Sequence, residues 1–112
     1  MYIKKQHMII TTTENIPNNE IAQILGIARG STVRARNIGR DITAIFKNIV
    51  GGELDEYTKL QATAREQAIE RMLKDAEKLQ ADAVVNIRLT TSIITTGAAE
   101  ILAYGTAVKL KK

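Results

Sequence analysis

The chain has 112 residues, 45% of them hydrophobic and 25% charged, with a net charge of +4; this suits a single domain, residues 1–112, and leaves no room for a second. The absence of Cys excludes disulfides, thiolate nucleophiles and thiolate metal sites, and fits a reducing, cytoplasmic setting. No signal-peptide-length apolar stretch follows the start, and none approaches the roughly 20 residues that span a bilayer, so no membrane association is expected.

Residues 7–13, "HMIITTT", are short, apolar and β-branched and read as a strand. Residues 14–20 read as a turn, because Pro17 fixes its own φ and Asn18 and Asn19 tolerate left-handed backbone. Residues 21–36 are rich in β-formers and interrupted by Gly26 and Gly30, which predicts a long strand with a bend or bulge. Ile42, Ile45, Phe46 and Ile49 then follow a helical spacing, which predicts a short helix over 40–50 that stops at Gly51.

From Tyr57 to Leu79 the apolar positions Leu60, Ala64, Ala68, Met72 and Ala76 advance in threes and fours. This predicts a long amphipathic helix, with Glu70–Lys74 and Arg71–Asp75 as opposite charges four apart. Residues 81–94 alternate, with Val85, Ile87 and Leu89 on one side and Asn86, Arg88 and Thr90 on the other. Residues 95–98 form a turn. Residues 100–110 alternate again: Leu102, Tyr104, Thr106, Val108 and Leu110 share one face, and the tiny Ala103, Gly105 and Ala107 share the other, where a backbone or helix can approach closely. The predicted class is α+β, an antiparallel sheet in ββ-αα-ββ order with one short and one long helix.

Three kinds of site were weighed. "VGGELDEYT", residues 50–58, has the placement of a phosphate loop, but Glu53, Asp55 and Glu56 already satisfy the helix dipole and repel phosphate. The Walker and Rossmann patterns are absent, so no cofactor is expected. His7 is the only histidine, which leaves too few nitrogen and sulfur donors for a soft metal within one subunit. The carboxylates suit a hard cation, but the calcium-loop pattern is missing. No nucleophile sits in a catalytic context. The basic excess concentrates in Arg29, Arg34, Arg36 and Arg40, twelve residues without an acid.

The segments "VRARNIGRDITAIFKNIVGGELDEYTKL", "AREQAIERM", "ADAVVNIRLTTS" and "EILAYGTAV" resemble the YbjQ-like family over nearly the whole chain. The most specific elements are Gly-Gly-Glu-Leu-x-x-Tyr at 51–57, Arg65, and the closing Tyr-Gly-Thr-Ala-Val at 104–108. One departure is Asn18, where the family pattern has Gly after Pro. The resemblance implies a dodecin-like subunit assembled as a homopentameric ring, in a family often labelled heavy-metal-binding.

Three function classes follow. The first is an oligomer-forming binding or scaffold module, its partner itself and its ligand at subunit interfaces. Low aromatic content, 4% with no Trp, makes for a small aliphatic core and favours association. The second is an anion or nucleic-acid binder using the Arg29–Arg40 stretch. The third is an enzyme whose site forms between subunits from Glu53, Tyr57 and Arg65 with a neighbour's arginine. The ligand-binding candidates are therefore Arg34, Arg36, Arg40, Glu53, Tyr57 and Arg65.

Overall fold

The computed structural model describes residues 8–35, 49–50, 53–95 and 97–112. In chain order the elements are β1 (Ile9–Ile10), β2 (Ile21–Ala35), β3 (Ile49–Val50), β4 (Glu53–Leu54), α1 (Asp55–Lys78), β5 (Ala83–Thr95) and β6 (Ala98–Leu110). Strands β1, β5, β6 and β2 lie side by side in that order in one sheet, and β3 pairs with β4 in a separate two-stranded ribbon.

The α+β class stands, but the ββ-αα-ββ order expected of a dodecin-like subunit, with one short and one long helix on an antiparallel sheet, is not what forms. Among the described residues there is one helix. Residues 40–48 of the predicted short helix lie outside the described residues. Its last two, Ile49 and Val50, are a strand antiparallel to Leu54 and Glu53. The overlooked signal is a β-branched pair followed by Gly-Gly, a strong hairpin cue that competes with the helical spacing before it. The sheet is also mixed, since β1 runs parallel to β5 while β5–β6 and β2–β6 are antiparallel. The turn at 14–20 does not fold β2 back on β1. It carries the chain across the sheet, so that β1 and β2 end on opposite edges. Ile16 is buried on the way against Ala83, Val85 and Val108, and Asn18 takes the left-handed backbone, φ 64°, that the turn needs.

Helix α1 packs on one face of the sheet, chiefly over β2 and β6. Its stripe Ala64, Ala68, Met72 and Ala76 is fully buried against Ala28 of β2 and Ala103 and Ala107 of β6. The tiny face of β6 thus receives the chain's own helix. Close approach is enforced at Gly30, where a Cβ would come within 2.6 Å of the Ala68 carbonyl oxygen, and at Gly105, where it would meet Val84 Cγ1 at 2.7 Å. Six of the ten buried residues in this cluster are alanine, so each contributes little more than a methyl group, about 0.8 kcal/mol. α1 ends without a glycine. Gln80 takes φ 61°, its N–H bonds the Glu77 carbonyl at 2.9 Å, and the Ala81 N–H bonds the Ala76 carbonyl at 3.1 Å, closing a Schellman cap.

The strict alternation expected along β5 is broken at Asn86, φ 55°, where the register with β6 shifts between Val85 and Arg88. This bulge places Val84 and Ile87 on the helix side and Val85 on the other, rather than Val85 and Ile87 together. No helix among the described residues is long and apolar enough to cross a membrane.

Candidate functional site

Four of the predicted site residues, Arg34, Glu53, Tyr57 and Arg65, lie on three described elements, β2, β4 and α1. Arg36 and Arg40 lie outside the described residues. Glu53 is in β4, and Tyr57 and Arg65 stand eight residues apart on α1, about 12 Å along its axis. Arg65 is exposed on the helix surface. Arg29 and Arg34 fall on opposite faces of β2, because they are an odd number of positions apart. Arg34 faces α1, where its Nη2 donates to Gln67 Oε1 at 2.7 Å. Among the described residues the buried Arg34 Nε has no partner, nor does the hydroxyl of Thr32, which is 2% exposed.

Arg71 and Asp75 also depart from the expected intrahelical pair. Asp75 Oδ2 accepts the backbone N–H of Arg29 at 3.0 Å, and Arg71 Nη1 donates to the carbonyl of Ser31 at 2.6 Å. Both helix side chains reach across to the free edge of β2 and satisfy groups that the sheet leaves open.

The face opposite α1 carries an arrangement that no single segment of sequence reveals. Tyr104 on the central strand β6 is paired with Arg29 of β2 on one side and with Arg88 of β5 on the other. Direct cross-strand partners share a face, with Cβ atoms about 4.5–5.5 Å apart. All three are exposed, Tyr104 by 38%. Arg88 Nη1 donates to the carbonyls of Thr12 at 3.0 Å and Ile87 at 2.9 Å, so its guanidinium is tethered by neutral groups. Among the described residues Lys109 and Lys111 do have acidic partners, Asp82 at 3.9 Å and Glu20 at 3.7 Å. The alternation of β6 already marked Tyr104 as facing away from the tiny residues. The alignment with Arg88 depends on the Asn86 bulge, which periodicity does not show.

Large apolar side chains are exposed along both edges of the sheet. Ile24 (70%), Ile27 (65%) and Val33 lie on β2, and Leu89, Ile93 (81%) and Ile94 lie on the half of β5 that β1 does not cover.

The family model that matches residues 8–111 is described as "Putative heavy-metal-binding". A UPF0145 protein of Archaeoglobus fulgidus is 58% identical over 107 residues, covering 96% of this chain and 99% of the relative. UPF0145 proteins of Thermosipho africanus and Thermotoga maritima are 57% and 55% identical, each covering 94% of this chain and 97% and 99% of the relative. A crystal structure from Pediococcus pentosaceus, a protein of unknown function in the DUF74 family, matches with a TM-score of 0.68 at 18% identity, covering 93% of this chain and 98% of that one; it bears on the fold alone. The chain belongs to the YbjQ-like, UPF0145 family. The donors that the described residues offer do not fit a heavy-metal site. No three of His, Cys, Asp and Glu stand together among them, and the chain has no Cys and a single His.

Proposed function

We propose that this family member is the building block of a homo-oligomer, a pentamer in the first instance, that acts in the cytoplasm as a binding or scaffold module. The observation that carries the reading is the distribution of exposed apolar side chains on two different edges, β2 and the distal half of β5. Water-exposed Ile, Val and Leu in such continuity mark an interaction surface. Two unlike edges favour a heterologous contact, the β5 edge of one copy against the β2 edge of the next, and such contacts close into rings. The alanine-rich core adds to this, since so little buried volume leaves a lone subunit marginal. The absence of Cys supports the compartment.

The test is light scattering at micromolar concentration. A pentamer has five times the 12.3 kDa of one chain, and Ile93→Asp and Ile24→Asp each lower the particle mass. A wild-type monomer overturns the proposal.

A second reading, anion binding through the Arg29–Arg40 stretch, is favoured at Arg34. Its half-buried guanidinium bonds an amide, and its Nε donor has no partner among the described residues. A small oxyanion would satisfy that donor.

A further inference from the structure

We propose that the helix-free face of the sheet binds single-stranded nucleic acid along the row Arg29–Tyr104–Arg88. The site lies within one chain, and it draws on two strands outside the basic stretch. It therefore does not rest on the ring.

Three observations converge. First, the register of β2, β6 and β5 puts one aromatic ring between two guanidinium side chains on the same face. An exposed Tyr on an open antiparallel sheet offers a flat surface on which any base stacks, and arginines beside it meet the phosphates. Second, among the described residues the Arg88 guanidinium donates to backbone carbonyls, which hold it in place without neutralising it. The Arg29 backbone N–H bonds Asp75, so the edge is fastened while the side chain projects from the other face. Third, the two arginines are separated by two strand spacings, about 9–10 Å. That suits a ligand carrying charge at intervals, such as an extended sugar-phosphate backbone, better than a compact anion. The neighbouring rows mix hydroxyls with apolar side chains, Ile27 paired with Thr106 on one side and Leu102 on the other. Ser31 and Thr90 flank Leu102 in the next row, and both can donate to phosphate or base edges. Glu100 lies one row further, paired with Val33 and Ser92, and sets one end of the track by repelling phosphate.

The experiment is fluorescence anisotropy with a fluorescein-labelled polythymidine of about 15 nucleotides, titrated with the intact protein at about 50 and 200 mM salt. Particle mass is measured on every variant. Wild type binds at the lower salt. Tyr104→Leu weakens binding roughly ten-fold and Tyr104→Phe leaves it unchanged, because stacking needs the ring and not the hydroxyl. Arg29→Gln lowers the slope of log affinity against log salt by about 0.7, one phosphate contact. Arg88→Lys, which keeps a donor for the Thr12 carbonyl, binds with wild-type affinity within about three-fold, and Arg88→Gln repeats the loss of slope seen for Arg29→Gln. No binding by the wild type at the lower salt overturns the proposal. So does binding indifferent to Tyr104→Leu and Arg29→Gln, equal affinity for a duplex of the same length, or full competition by inorganic phosphate at the concentration of nucleotide units. A loss of affinity that appears only where the particle mass also falls overturns direct contact at this row.

Discussion

The carboxylate of Asp75, on the last part of α1, accepts the backbone N–H of Arg29 at the free edge of β2, 3.0 Å away. One turn earlier on the helix, Arg71 donates to the carbonyl of Ser31 at 2.6 Å. Helix and strand are thereby fastened along the outer side of β2, the last strand of the sheet among the described residues. The same contacts blunt the middle of a 15-residue edge strand against uncontrolled strand addition.

Asp75→Ala leaves the Arg29 N–H to water and costs about 1 kcal/mol, the usual net worth of a hydrogen bond at an accessible site. Arg71→Ala costs a similar amount. A double-mutant cycle between the two gives a coupling below about 0.5 kcal/mol, because each holds β2 separately rather than pairing with the other. Denaturant unfolding measures all four species. A coupling well above that value restores the intrahelical ion pair expected from their spacing.

Gly105→Val and Gly30→Ala each destabilise by about 1–3 kcal/mol or more through overpacking. At Gly30 the obstruction is helix backbone, Ala68 O at 2.6 Å, which cannot rotate away. At Gly105 it includes the Val85 carbonyl oxygen at 2.9 Å. Ser92→Val, at an exposed position, stays within about 0.5 kcal/mol. Thermal unfolding of the three variants checks the ranking, and equal midpoints would show that neither glycine is a close contact.

Asn86→Gly retains wild-type stability within about 0.5 kcal/mol, while Asn86→Val costs about 1–2 kcal/mol. The bulge residue sits at φ 55°, which Asn and Gly accept and a β-branched residue does not. The valine variant also weakens the packing of Val84 and Ile87 together on the helix side. Hydrogen exchange at Ile87, whose N–H bonds the Thr11 carbonyl at 3.1 Å, reports that change locally.

Calorimetry on the intact protein, free of tags, gives at most weak binding of Zn²⁺, Cu²⁺ or Cd²⁺. The donor set of the described residues and the lack of Cys are the reason. Oligomerisation of the proposed kind would multiply the copies of His7, so the deciding variant is His7→Ala. A sub-micromolar site that this variant abolishes would show that the family description applies to this chain.

The long helix, the 21–35 strand and the closing hairpin were legible because each rests on a local regularity. Ala64, Ala68, Met72 and Ala76 repeat at the helical period, and Ala103, Gly105 and Ala107 repeat at the strand period. A stripe of that kind must be buried wherever the element goes, so its inner face can be read without knowing its neighbours. The β3–β4 ribbon was missed because a Gly-Gly cue and a helical spacing compete for Ile49 and Val50. Nothing local tells which wins.

Everything that depends on neighbours was decided by the tertiary structure. Which edge β2 occupies follows from where the 14–20 segment finds a cover for Ile16, and that requires Ala83, Val85 and Val108 from the far end of the chain. Arg71 and Asp75 abandon each other because β2 presents a fixed carbonyl and a fixed N–H within their reach, both pointing away from its pairing with β6. Arg29 and Arg34 look like one basic cluster in sequence and become two separate features, since a strand sends them to opposite faces. Arg29, Tyr104 and Arg88 lie up to 75 residues apart and meet only through the register of three strands, shifted into place by a one-residue bulge. Periodicity specifies which side of an element is inward. It carries no information about which residue of the next strand stands opposite, because that is set by bulges and crossovers whose energy is spread over the whole sheet.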